Sequence, residues 1–112
     1  MDTQFKKGVL ELLVLLIVET EDKYGYELVE EVSSIVNVNE GTIYPILKRL
    51  TNEKYFETYL KESTEGPPRK YYHITDLGKN RSVELLREWK KFNKKVNSFI
   101  KEIEEKWKKR NF

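Results

Sequence analysis

The sequence contains no cysteine, and histidine occurs only once, at His73. Without cysteine the chain can form neither disulfides nor zinc ribbons, and it cannot use a catalytic thiol. With a single histidine, pairs of a nucleophile and a base are scarce, and no glycine-rich phosphate loop or paired-carboxylate pattern is visible. The sequence therefore predicts that the protein is not an enzyme and that it holds no metal and no cofactor.

Long hydrophobic runs are missing as well. The longest, from Val9 to Val18, is interrupted by Glu11, and it is too short for a membrane span, which needs about 20 apolar residues. The first seven residues lack the charged region and the cleavage site of a secretory signal. We therefore expect a cytoplasmic protein without a membrane segment, in which residues 9–18 form a deeply buried helix.

The composition supports a folded chain but does not reveal its partner. Charged residues make up 36% and hydrophobic residues 38% of the 112 residues, which suits one domain with a modest core. The net charge of +2 divides into −5 over residues 1–38, +1 over 39–75 and +6 over 76–112. A total this small does not indicate a nucleic-acid-binding protein, so such a function has to follow from the local arrangement of basic residues.

Hydrophobic periodicity predicts three helices in the first half of the chain. The first covers residues 5–19 and has almost no polar face, so it must be covered on most sides. The second covers residues 24–35, and the third ends near Asn52. The inward side chains expected for the second and third helices are Leu28, Val29, Val32, Ile43, Ile46, Leu47 and Leu50.

The start of the third helix has two interpretations. If Asn39 is the N-cap, its side chain can accept a free backbone N–H, but Pro45 then removes the hydrogen bond to the Gly41 carbonyl and kinks the first turn. If Thr42 is the N-cap, Pro45 falls at the third helical position. A backbone N–H there has no partner within the helix, so the N–H that proline lacks is not missed. The sequence leaves both open.

The second half of the chain predicts a hairpin and one long helix. Residues 56–62 and 69–74 alternate and are rich in Tyr, Phe, Thr and Ile, so they predict two strands joined by a long loop over residues 63–68. A last helix is expected over residues 76–109, about 50 Å long. Its apolar residues form a nearly heptad seam: Leu85, Trp89, Phe92, Val96, Phe99, Ile103 and Trp107. The far half of such a helix cannot be buried within its own chain, which predicts a homodimer.

This order of elements predicts a mainly α fold with a small β-hairpin, namely a winged helix-turn-helix over residues 1–75 and a C-terminal dimerisation helix over 76–112. In that fold the third helix enters the major groove of double-stranded DNA and the hairpin follows the adjacent backbone. Hydroxyl and cationic side chains suit phosphate oxygens. The residues predicted to bind DNA are Lys6, Thr42, Tyr44, Lys48, Arg49, Arg69 and Lys70.

Two alternatives to this hypothesis are plainer. The basic residues of the third helix could be ordinary solvated charges, as they would be on an isolated helix. The fold could also be a winged-helix module that binds another protein and not DNA. Basic residues occur on both the third helix and the hairpin, which is the wing of this fold. This favours DNA, because a protein-binding module does not need basic residues at these places.

Four motifs carry a resemblance to a known family: Lys7-Gly8 before the leucines, Tyr24-Gly25-Tyr26-Glu27, Gly41-Thr42-Ile43-Tyr44-Pro45 with Leu47, Arg49 and Leu50, and Pro68-Arg69-Lys70-Tyr71-Tyr72 with Ile74, Thr75 and Gly78. Over about residues 5–80 the chain resembles the PadR family of bacterial transcriptional regulators. Its single C-terminal helix is similar to the short subfamily, which includes multidrug-responsive repressors. The resemblance implies a dimeric repressor of an operator, with a small aromatic or planar effector.

The resemblance also implies roles for particular side chains. A tryptophan at the position of Trp89 lines a hydrophobic cavity between the long helices and stacks planar ligands in short members of the family. The same cavity would include Phe5, Leu12, Phe92 and Asn93. The plainer interpretation is that Trp89 fills a closed core.

Four other side chains have plainer assignments. We expect Tyr24 and Tyr26 to pack the second helix against the wing. One of the neighbours Tyr71 and Tyr72 should point inward, because successive strand residues face opposite sides of a sheet.

Overall fold

The computed structural model describes the backbone of residues 3–111 and the side chains of residues 7–110. Over that part of the chain it contains four helices and a three-stranded antiparallel sheet. The elements in order are α1 (Thr3–Thr20), β1 (Lys23–Tyr24), α2 (Gly25–Ile35), α3 (Glu40–Asn52), β2 (Phe56–Ser63), β3 (Gly66–Ile74) and α4 (Asp76–Asn111). The predicted winged helix-turn-helix with one long C-terminal helix is confirmed.

The chain divides into two compact units, residues 1–82 and residues 83–112. In the first unit, α1 supplies the centre of the core, with Leu10, Val14, Leu15 and Val18 fully buried. This agrees with the expectation of a helix that is covered on most sides. Around it pack the predicted inner faces of the other elements: Leu28 and Val32 of α2, Ile43, Ile46, Leu47 and Leu50 of α3, and Phe56, Tyr72 and Ile74 of the sheet.

The helix α3 begins at Glu40, with Asn39 as its N-cap and Pro45 inside the helix. This decides between the two starts that the sequence left open. The hydrogen bond expected at this cap is absent: among the described residues, no backbone N–H donates to the Asn39 side chain. Instead the Thr42 hydroxyl donates to Asn39 Oδ1 at 3.4 Å, and the Thr42 N–H donates to the Asn39 carbonyl at 3.2 Å.

The end of α3 is closed by two backbone hydrogen bonds. The Tyr55 N–H donates to the Leu50 carbonyl at 2.9 Å and the Lys54 N–H to the Thr51 carbonyl at 3.0 Å. This is the Schellman arrangement, which requires a left-handed residue and usually has glycine there. Here Lys54 takes that conformation, with φ at 70°.

The wing differs from the predicted hairpin in two ways. The expected loop over residues 63–68 is wrong, since Thr64 and Glu65 alone form the turn between β2 and β3. The strands continue through the Gly-Pro-Pro segment with an irregular register between Lys61 and Ser63. The second helix, predicted over residues 24–35, begins at Gly25, because Tyr24 belongs with Lys23 to the strand β1. This strand of two residues pairs with β3, Lys23 opposite Tyr72 and Tyr24 opposite Tyr71.

The junction between β3 and α4 is held by Thr75. Its N–H donates to the Tyr55 carbonyl at 3.0 Å, and its hydroxyl donates to the Lys54 carbonyl at 2.7 Å. The same hydroxyl accepts the Gly78 N–H at 3.0 Å, which caps the first turn of α4. The wing and the start of α4 are therefore joined at one residue.

The helix α4 keeps much of its apolar seam exposed. Phe92, Phe99 and Trp107 are 53%, 61% and 55% exposed, whereas Trp89 and Ile103 are half-buried. Within residues 3–111, none of the helices combines the length and the apolar character that a membrane crossing demands.

Candidate nucleic-acid interface

The helix α3 has one buried and one open face. Ile43, Ile46 and Leu47 face the core, whereas Tyr44 and Lys48 are exposed. Tyr44 and Lys48 are four residues apart, so they lie on the same side of the helix. This open side can enter a groove without disturbing the packed side.

A cavity of about 230 Å³ lies beside α3, between the start of α2 and the strand β3. It brings together three of the predicted residues, Tyr44, Arg69 and Lys70, with the tyrosines and glycine of the second sequence motif. Its lining residues are Tyr24, Gly25, Tyr26, Tyr44, Arg69, Lys70 and Tyr72. One predicted residue of α3 and two of the β2–β3 hairpin thus meet in the first unit, whereas Thr42, Lys48 and Arg49 do not line this cavity.

Gly25 lets the Tyr44 ring pack closely against the start of α2. A Cβ placed on Gly25 would lie 2.9 Å from Cε1 of the Tyr44 ring and 3.3 Å from its hydroxyl oxygen. Any larger residue would displace the Tyr44 ring. The backbone N–H of Tyr24, the preceding residue, donates to the Glu27 carboxylate at 3.2 Å and so fixes the start of α2.

The cationic groups of the wing rest on aromatic rings. The Arg69 guanidinium lies 4.6 Å from the centre of the Tyr24 ring, and the Lys70 ammonium lies 5.8 Å from that of Tyr72. Such contacts within about 6 Å are attractive and restrict a long side chain. These contacts favour particular positions of the two charges.

A tyrosine stack supports these contacts. The centre of the Tyr71 ring lies 5.6 Å from the ring centres of both Tyr24 and Tyr59, and the Tyr71 and Tyr59 rings are nearly parallel. Tyr72 is buried and meets Phe56 edge to face, and burial raises its pKa. The expectation that one of Tyr71 and Tyr72 points inward agrees with this placement. Tyr24 packs against the wing as expected, whereas Tyr26 is exposed and stacks on Tyr24.

A carboxylate anchors the outer side of the wing. Asp22 Oδ2 accepts the Tyr59 hydroxyl at 2.7 Å, and Asp22 Oδ1 lies 2.8 Å from His73 Nδ1. Burial disfavours the charged carboxylate, but the hydrogen bonds from Tyr59 and His73 outweigh it and lower the pKa of Asp22. The same hydrogen bond raises the pKa of Tyr59 to about 12. Both strands of the wing are thereby tied to the turn before β1.

Arg49 differs from the other predicted DNA-binding residues. Its Nη2 lies 3.1 Å from Glu11 Oε2 of α1, and its Nη1 lies 3.3 Å from Glu53 Oε2. The guanidinium is therefore engaged by two carboxylates of its own chain. A contact from Arg49 to a phosphate would have to break these pairs.

A model of the transcriptional regulator PadR-like family matches residues 14–84 of the chain. This match covers α1 from its middle, the helix-turn-helix, the wing and the first turns of α4. The chain belongs to the PadR family of transcriptional regulators. Its membership in a family of regulators confirms the expectation that it is not an enzyme.

Two solved structures and one further relative are similar to this chain over most of its length. A PadR-like regulator of Bacillus cereus is 43% identical with a TM-score of 0.78, covering 88% of this chain and 97% of its own. A Streptococcus mutans protein is 37% identical with a TM-score of 0.79, covering 85% of this chain and 89% of its own. An uncharacterised protein of Lysinibacillus sphaericus is 33% identical over 102 residues, 88% of this chain and 94% of the relative.

The residues predicted to line an effector cavity in this PadR protein belong to both units. Leu12 is buried in the first unit. In the second unit Trp89 is half-buried, Phe92 is exposed, and Asn93 accepts the Asn97 side-chain amide at 3.3 Å. The side chains of Phe5 and Lys6 lie outside the described residues.

Four residues that contribute to the PadR site were not predicted as part of it. Tyr24 was assigned to packing and Gly25 was given no role, yet both line the cavity, and their family motif was the available signal. Asp22 and Glu11 gave no signal as anchors, since each meets partners far along the chain.

Proposed function

We propose that the protein is a cytoplasmic, dimeric repressor that binds a specific operator in double-stranded DNA. Residues 1–75 bind the DNA, with α3 in the major groove and the wing along the backbone, and residues 76–112 form the dimerisation helix. The observation that carries the proposal is the meeting of Tyr44, Arg69 and Lys70 in one cavity beside the open side of α3. Hydroxyl and cationic groups held at fixed positions suit phosphate oxygens.

The alternative, a winged-helix module for binding another protein, accounts less well for these groups. Such a module needs no cations fixed on aromatic rings beside an open helix face. Membership in a family of transcriptional regulators favours DNA as well.

Lys48→Ala should weaken operator binding and flatten its salt dependence. Each lysine or arginine that neutralises a phosphate contributes about one unit to the slope of log affinity against log salt concentration. Arg69→Ala should act in the same way, since its guanidinium faces the cavity. Fluorescence anisotropy with a labelled duplex from about 50 to 200 mM salt measures both quantities.

The matched control is Lys101→Ala, which removes the same charge from an exposed position on α4. It should leave affinity and slope nearly unchanged. If Lys48→Ala behaved like this control, Lys48 would not lie at the DNA surface.

We propose that the repressor is a homodimer through the apolar seam of α4. Several large apolar side chains of this seam are exposed in one chain, and a second copy can cover them with a two-fold symmetric interface. A symmetric dimer binds a pseudo-palindromic operator with half-sites about 34 Å apart, or a multiple of that distance.

We further propose that a planar aromatic compound relieves repression by stacking on Trp89. Trp89 and Phe92 are three residues apart on α4, so their rings share one side of the helix, and Phe92 is exposed. Aromatic pairs contribute about 0.5–1.5 kcal/mol beyond the area they bury. Binding would release DNA because the compound favours a dimer whose recognition helices no longer match the operator.

Titration with a planar dye such as an acridine should therefore quench the tryptophan fluorescence of the protein. We expect Trp89→Phe to abolish the quenching and Trp107→Phe, at an exposed position of the same helix, to preserve it. Quenching that depends on Trp107 alone would place the dye elsewhere. No quenching by a broad panel of planar compounds would leave Trp89 as a residue of a closed core.

A further inference from the structure

Glu11 is a charged residue at a place where the helix α1 is otherwise apolar. It stands between Leu10 and Leu12, both buried, and its own side chain is only 11% exposed. A carboxylate taken out of water is destabilising unless it is paired. The partners of Glu11 therefore explain why it can be there.

Each oxygen of the Glu11 carboxylate faces a different arginine. Oε2 accepts a hydrogen bond from Arg49 Nη2 of α3 at 3.1 Å. Oε1 lies 3.5 Å from Arg81 Nε in the first turns of α4, which is an ion pair without a hydrogen bond. Arg49 is further held by Glu53, at 3.3 Å. One carboxylate thus joins α1, the recognition helix α3 and the start of α4 within the first unit.

The bond to Arg49 bears directly on the open side of α3. Arg49 follows Lys48, and successive helical residues point about 100° apart. Holding the guanidinium of Arg49 against α1 therefore fixes the direction in which Lys48 points. Tyr44, one turn before Lys48, is fixed with it.

We propose that Glu11 is a positioning residue for DNA recognition, which sets the orientation of α3 through Arg49 and ties it to α4 through Arg81. This inference rests on the proposed function. It assigns Arg49 to the same positioning group and not to the DNA surface.

The proposal and simple electrostatics predict opposite changes in DNA affinity for the substitution Glu11→Gln. Glu11→Gln removes a negative charge from a protein that binds a polyanion, so charge alone would tighten binding to every duplex. If Glu11 positions α3, the same substitution weakens binding to the operator by on the order of tenfold. The salt slope stays unchanged because no phosphate contact is lost, and affinity for an unrelated duplex does not fall.

The experiment uses the full chain and a duplex that the unsubstituted protein selects from a randomised pool. Affinities for that duplex and for a scrambled one are measured by anisotropy over a salt series. Glu62→Gln, an exposed carboxylate on the wing, is the matched control and should bind both duplexes at least as tightly as the unsubstituted protein. Circular dichroism establishes that each variant is folded at the measuring temperature.

A second variant keeps the proposal testable if Glu11→Gln does not fold. Arg81→Gln removes only the ion pair between Glu11 and the start of α4. It should therefore lower affinity for the selected duplex, with the salt slope again unchanged. When both variants fold, the double variant should lose less binding free energy than the two single variants lose together, because Glu11 and Arg81 act through the same carboxylate.

Several results would overturn the proposal. Glu11→Gln binding the selected duplex as tightly as the unsubstituted protein would refute the positioning role, and so would an equal loss on both duplexes. If the unsubstituted protein selects no duplex, the proposed DNA-binding function itself fails, and the inference fails with it. The two failures are therefore distinguished by the unsubstituted protein alone.

Discussion

Phe99→Asp should convert the protein from a dimer into a monomer at micromolar concentration. Phe99 is 61% exposed in the single chain and lies in the middle of the α4 seam, so a second copy would bury it. A symmetric interface contains the substituted residue twice, and each unpaired carboxylate buried in an apolar contact costs several kcal/mol. Even about 2 kcal/mol per copy, about 4 kcal/mol in total, would weaken association roughly a thousandfold.

Sedimentation velocity measures the outcome directly. The unsubstituted protein should sediment at twice the 13.5 kDa of one chain, and Phe99→Asp should sediment as the single chain. Ser98→Asp is the control, because it adds the same charge at the neighbouring exposed position outside the apolar seam. A dimer that survives Phe99→Asp would show that the seam of α4 is not the interface.

Loss of the dimer should also lower affinity for an operator with two half-sites. A dimer holds its second recognition helix near the second half-site at high effective concentration, whereas a monomer binds each half-site independently. Binding of a single half-site should change much less, since the residues of the first unit are untouched.

Helices were predictable here because their signals are local. The apolar spacing of α2 and α4 follows from neighbours three and four residues apart, and α1 is apolar throughout. The end of α3 was also predicted correctly, near Asn52, although its left-handed residue is Lys54 and not the usual glycine. The start of α3 needed the structure, because Asn39 and Thr42 were both acceptable caps.

The sheet depended on contacts that the sequence does not display. The strand β1 has two residues, and it exists because Tyr24 and Lys23 pair with β3 nearly fifty positions later. Pro67 and Pro68 indicated a loop, since proline lacks a backbone donor. They are accommodated in a strand where β1 does not extend alongside and the register with β2 is irregular. Such an edge position tolerates proline.

The candidate site was predictable in its residue types and less so in their geometry. Tyr44, Arg69 and Lys70 were chosen for their chemistry, and the structure brings them to one cavity. Arg49 has the same chemistry but meets Glu11, 38 residues away in sequence. No spacing rule connects these two positions, so only the packing of α1 against α3 reveals the pair.

Gly78→Ala should destabilise the protein, although alanine is the better helix former. Gly78 lies in the first turn of α4, where a Cβ would be 2.3 Å from the Tyr55 backbone oxygen and 2.7 Å from Ile74 Cγ1. The Tyr55 carbonyl cannot move freely, because it accepts a hydrogen bond from the Thr75 N–H at 3.0 Å and lies 3.1 Å from the Thr75 hydroxyl oxygen. Moving it would disturb the junction of the wing and α4.

Two effects of opposite sign determine how much Gly78→Ala changes the free energy of unfolding. Forcing a methyl group into a packed site costs up to about 3 kcal/mol, and replacing glycine by alanine within a helix returns about 1 kcal/mol. The free energy of unfolding should therefore fall by about 2 kcal/mol, which lowers the melting temperature by on the order of 10 °C for a chain of this size. Thermal unfolding followed by circular dichroism at fixed protein concentration measures this change.

Gly8→Ala provides a control with the opposite sign. Gly8 lies within α1, and a Cβ placed there meets nothing within 4 Å, so the substitution brings the helical gain without a clash. We expect this variant to be as stable as the original protein or slightly more stable. If Gly78→Ala were equally stable, the Tyr55 carbonyl would be free to move, and the rigid connection between wing and α4 would not exist.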